Sequence, residues 1–191
     1  MTRPPGSRDA AQQPSARRPA SVAGLAIVIW SVGGVLTLLL QAIVRLLPRA
    51  LEPIQDGTLD LAAGLAYLGA IVGLAYSEGY RGFQQRFSPR VVARALHLAE
   101  HPKIHLVILA PLYAMALIHA TRRRLLGSWL LLLGIIGLIV LVSQLPQPWR
   151  GAVDAGVVVG LSWGALATLG LLVRAFRGTP PEIDPDLPKL E

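Results

Sequence analysis

Three histidines recur at four-residue steps, His97, His101 and His105, with Glu100 among them. Imidazoles at i, i+4 and i+8 share a helix face, and such a face can ligate zinc, iron or haem. Pro102 interrupts the register after His101. A basic face resting on lipid headgroups accounts for the same residues without a ligand. The expectation is no cofactor, with a metal or haem on His97, His101 and His105 as the alternative.

Carboxylates offer different chemistry. Glu78 and Arg81 close an apolar run, and an acid at membrane depth marks a proton or ion path by default. At the edge of a span the same acid pairs with Arg81 or reaches water. Asp154 follows Arg150 by four residues at the start of another apolar run. The helix dipole and the i,i+4 cation both favour an acid there. The sharper reading gives Asp154 a polar pocket with Gln144 and Gln147. His119, at the end of a third run, completes the polar candidates.

Gly160-Leu161-Ser162-Trp163-Gly164 reads GxSxG. A nucleophile elbow needs a strand–turn–helix setting, whereas this copy lies inside an apolar run. Gly156, Gly160 and Gly164 read instead as a packing ridge in four-residue steps. No catalytic residue is assigned. The chain has no phosphate-binding or dinucleotide-binding glycine loop. Its lack of cysteine excludes disulfides and thiolate chemistry.

The elements that must position these residues are membrane elements. Of 191 residues, 53% are hydrophobic and only 15% charged, against about 25% charged in soluble domains. The charges cluster between apolar runs, as in integral membrane proteins. A net charge of +7 would suggest nucleic acid in a soluble chain. Here it reads as topology-setting arginine beside anionic headgroups. Arg-, Ala- and Leu-rich usage points to a bacterial inner membrane and a multi-pass protein.

Residues 1–20 and 177–191 read as disordered tails, rich in proline and polar residues. Between them, residues 21–176 form the membrane domain. Expected helices cover 22–46, 59–77, 104–121, 125–144 and 151–175, with Gly69 and Gly73 as a close-contact pair in the second. Ser88-Pro89 is an N-cap and first-turn signature. It opens an amphipathic helix over 89–100 that sets Arg90 and Arg94 on headgroup phosphates. The fold expected is an all-α polytopic bundle of five transmembrane helices plus one interfacial helix. The alternative is four spans with a re-entrant third segment around Pro111, which gathers the basic residues on one side and better obeys the positive-inside rule.

The function expected is that of a non-enzymatic structural, assembly or accessory subunit. Its partners are the bilayer, anionic headgroups, and a second copy or larger membrane complex. A small-solute or proton-linked transporter using Glu78 and Asp154 is the alternative. A metal- or haem-dependent membrane enzyme is the second.

Overall fold

The computed structural model describes residues 21–187, so the expected tail 1–20 and the last residues of the C-terminal tail lie outside it. Every regular element among the described residues is helical. Helix α1 (Val22–Gln55) starts where Ser21 Oγ accepts the Gly24 N–H at 3.0 Å, a side-chain cap for an orphan donor. It runs through Pro48 and Pro53, past its expected end at residue 46. Pro53 is buried, on the side of Gly151.

Asp60 caps α2 (Leu61–Leu74) by accepting the Ala63 N–H at 2.7 Å. The chain then continues without a break through a π-helical segment, Ala75–Phe87, into α3 (Ser88–Glu100). The result is one 40-residue helix, Leu61–Glu100. This corrects the expectation of a separate surface helix opened by Ser88. Ser88 has helical backbone angles, and its N–H reaches back to Phe83 O in the π pattern. Pro89 has no N–H to extend that pattern, and α pairing resumes.

Residues 104–120 are not a continuous span. They form two short helices, α4 (Ile104–Ile108) and α5 (Ala110–Ala114), followed by turns. Ala116 and His119 adopt positive φ, 58° and 50°, conformations that L residues visit rarely. The run is apolar because it packs inside the protein: Ala110, Tyr113 and Ala114 are buried. Helix α6 (Arg122–Ser143) and helix α7 (Trp149–Phe176) follow.

Four helices are therefore long and apolar enough to cross a membrane: α1, Leu61–Glu100, α6 and α7. Helix length and composition make this a multi-pass membrane protein. Helix α7 is the central post, packed against α1 and the long helix. Ala152 shares a buried cluster with Ala50 and Tyr67, and Leu172 shares one with Val28 and Val92. Helix α7 is thus parallel to the long helix and antiparallel to α1. Helix α6 stands nearly free of the others, and most of its apolar side chains from Leu130 to Leu141 are exposed.

Candidate functional site

Arg94, expected on headgroups, is 1% exposed. Val91, Arg94, Ala95 and Leu98 fall at i, i+3, i+4 and i+7, the stripe a helix turns inward. The guanidinium is spent on backbone carbonyls. Nε donates to Tyr113 O at 2.6 Å, NH2 to Ile118 O at 3.1 Å and His119 O at 3.0 Å, and NH1 to Pro185 O. Its carbon lies 4.2 Å from the centre of the Tyr113 ring, in cation–π range. Two indoles treat the same segment alike: Trp30 Nε1 donates to Val107 O and Trp129 Nε1 to Leu117 O, each at 3.1 Å. The irregular segment leaves carbonyls that a continuous helix would have satisfied, and these three side chains supply donors.

The same arginine holds the C-terminal strand of chain, which was expected to be disordered. The Thr121 N–H donates to Asp186 O. The Asp186 carboxylate lies 3.6 Å from Arg90 and 3.9 Å from Arg124. Arg90 thus meets an acid of its own chain, and Asp186 links the start of α3 to the start of α6. Asp186→Ala should leave global stability within about 1 kcal/mol, since exposed pairs contribute little. It should, however, hasten protease cleavage between residues 177 and 187 in the detergent-solubilised protein.

The second candidate is the π segment. Long π-helices are rare, and π turns favour functional sites. This one carries Ser77, Glu78, Arg81, Gln84, Gln85 and Arg86 alongside the glycine ridge of α7. A Cβ added at Gly160 would lie 3.3 Å from Glu78 Cβ, and one at Gly164 would strike the Phe83 ring. Trp163 Nε1 donates to Gln84 Oε1 at 2.7 Å. Thr168 Oγ1 donates to Ser88 Oγ at 2.7 Å. Glu78 is therefore level with Gly160, about 12 Å from Ala152 and about 20 Å from Val173 along the apolar run of α7. Glu78 thus lies beside the middle of the apolar run of α7. Glu78 and Arg81 are exposed, and no ion pair joins either of them to another described residue.

Asp154 lies at the opposite end, 5% exposed. Arg150 Nε approaches its Oδ2 at 3.8 Å, and neither atom has a hydrogen bond. Gln147 does not complete a pocket there. Its amide donates to Glu52 at 2.8 Å and accepts from the Gly151 N–H at 2.9 Å, fastening α7 to α1. Gln144 instead ends α6.

His97 and His101 stack at 4.8 Å. Among the described residues no three histidine or acidic side chains group as they would to hold a metal ion. His119 is held through its carbonyl and lies 6.2 Å ring to ring from Tyr113. Ser162 lines an open groove of about 760 Å³ with Gln84, Trp163 and Arg174, and no histidine lines it. Gly69 and Gly73 face outward: a Cβ at either would meet nothing within 4 Å.

The chain matches no family model, no curated protein and no solved structure. Sequence reasoning assigned Arg94 to the wrong surface and overlooked Trp30, Tyr113, Trp129 and Asp186. The spacing of Val91, Arg94, Ala95 and Leu98 was the available signal for the first of these.

Proposed function

We propose that this protein is a non-enzymatic membrane subunit that works by assembly, with its polar mid-span face covered by another protein surface. One observation carries the reading: Glu78 and Arg81 are exposed and unpaired beside the middle of α7. A single charge at the centre of a bilayer costs about 2.5–3.5 kcal/mol even on the mildest scales. A protein surface that pairs these groups removes that cost.

The membrane arrangement that fits is four spans with residues 104–120 re-entering from one side. Irregular backbone at membrane depth is tolerated only where protein covers it. Arg94, Trp30 and Trp129 give that cover, and Pro111 packs against Gly34, about 18 Å along α1 from Val22. Arg90, Lys103, Arg122, Arg123, Arg124, Arg174 and the arginines of residues 1–20 then share one side, which the positive-inside rule makes cytoplasmic. A bacterial inner membrane suits this charge pattern. Cysteines introduced at His101 and Arg123 should react with an impermeant thiol reagent from the same side, and one at Asp56 from the other. Opposite labelling of His101→Cys and Arg123→Cys would restore five spans.

The assembly reading is tested by extraction into polymer nanodiscs directly from membranes. The particle should contain more than one polypeptide chain. A particle holding one chain alone would contradict it.

Asp154 supports a second reading, proton-linked transport, because its Oδ2 is buried without a hydrogen bond. That reading expects Asp154→Asn to abolish flux in liposomes while the purified protein keeps its melting temperature.

A further inference from the structure

The π segment carries opposite charges on two flanks of one outward face. An α-helix turns about 100° per residue and the wider π-helix about 80°. Counting from Gly73, this places Gly73, Ser77 and Gly82 within about 50° of one another. Glu78 then lies on one side of them and Arg81 on the other, about 120° apart. The burial pattern agrees, since Gly73, Ser77, Glu78 and Arg81 are all exposed. Glu78 Oε2 leans towards this face, 3.5 Å from a Cβ built on Gly82. Its distance from Arg81 exceeds ion-pair range, because no pair between them lies within 4.0 Å.

We infer that the surface covering this face is a second copy of the chain, with Glu78 of each copy paired to Arg81 of the other. This inference rests on the assembly reading and names its partner. The argument is charge complementarity. Two copies in one membrane have the same orientation, and a two-fold axis along the membrane normal sets their π segments side by side and parallel. The Glu78 flank of each then faces the Arg81 flank of the other, and each contact occurs twice, as in any isologous interface. Glu78 and Arg81 differ in depth by three residues, about 4 Å, within reach of both side chains. The groups between them are small, so the backbones can approach closely enough for the pairs to form. An ion pair shielded from lipid satisfies two charges that would otherwise lie unpaired at mid-span. Arg86, nearer the end of the bundle that holds Arg90, can reach headgroups.

The experiment uses two differently tagged full-length chains, co-expressed and extracted in nanodiscs. The wild-type chains should co-purify. Glu78→Arg alone or Arg81→Glu alone sets like charges in every 78–81 contact and should lower co-purification at least about tenfold. Co-expressing Glu78→Arg chains with Arg81→Glu chains sets arginine against glutamate in both contacts and should restore it. A contact within one chain could not be rescued by mixing. Should either single variant fail to reach the membrane, Ser77→Cys gives the decision, because the chain has no other cysteine. Oxidation should then yield a disulfide-linked dimer in membranes. Wild-type chains that do not co-purify, single variants that associate like wild type, or a Ser77→Cys chain that stays monomeric would each overturn the inference. A particle holding one copy with a different protein would overturn it while leaving the assembly reading intact. A lone chain would overturn both.

Discussion

Arg94→Leu should cost the protein about 3–5 kcal/mol, the range for removing one member of a buried, fully hydrogen-bonded charged group. Leucine keeps the apolar stem but abandons the carbonyls of Tyr113, Ile118, His119 and Pro185. All four would lose a donor, Tyr113 O in a buried position and the other three in partly buried ones, and His119, at positive φ, would lose the bond to its carbonyl. The melting temperature in detergent should fall by about 10 °C or more. Arg94→Lys should recover only part of the loss, since one ammonium cannot span a fork of four acceptors on three nitrogens. A headgroup-facing arginine would predict the reverse: little change in detergent, and full tolerance of lysine.

Substitutions along the glycine ridge should differ sharply by position. A Cβ at Gly156 would lie 2.6 Å from the backbone oxygen of Ala70, and one at Gly164 would lie 2.5 Å from the Phe83 ring. Neither a carbonyl in a helix nor a wedged aromatic ring can give way cheaply, so Gly156→Ala and Gly164→Ala should each cost about 1–3 kcal/mol. At Gly160 the nearest neighbours stand at 3.3 Å, so Gly160→Ala should cost less than either. Gly170, on the same helix, has nothing within 4 Å. There alanine should be neutral or stabilise by up to about 1 kcal/mol through helix propensity alone. The series is checked by thermal unfolding of the four alanine variants in one detergent. Equal effects at Gly156 and Gly170 would mean that the ridge does not face the long helix.

The long apolar runs made α1, α6 and α7 legible in the sequence, because helix length and bilayer thickness impose the same count of residues. The four-residue glycine repeat pointed to the right helix for close packing. The run 104–120 misled for the opposite reason. Composition cannot distinguish side chains facing lipid from side chains facing protein, and Tyr113 and Ala114 are buried against neighbouring helices. Ser88-Pro89 misled because a cap signature is local, whereas the Ser88 hydroxyl answers to Thr168 on a distant helix. Counting along its own helix sets Glu78 at the end of an apolar run. The register against Gly160 sets it beside the middle of α7, and no one-dimensional count contains that register. Arg94 was the recoverable error, since its spacing from Val91 and Leu98 sets it on the buried stripe.

The claim on which the rest depends is that Glu78 lies at membrane depth and is covered by protein. Carbodiimides read this directly in the unmodified protein. Native membranes would be treated with a lipid-soluble carbodiimide and, separately, with a water-soluble one, and Glu78 modification measured by peptide mass spectrometry. The account predicts that Glu78 resists both reagents in membranes and reacts once detergent has separated the chains. Modification in intact membranes by the lipid-soluble reagent would leave Glu78 facing lipid, and modification by the water-soluble one would place it in an aqueous path. Either result would contradict the assembly account, and the second would favour transport.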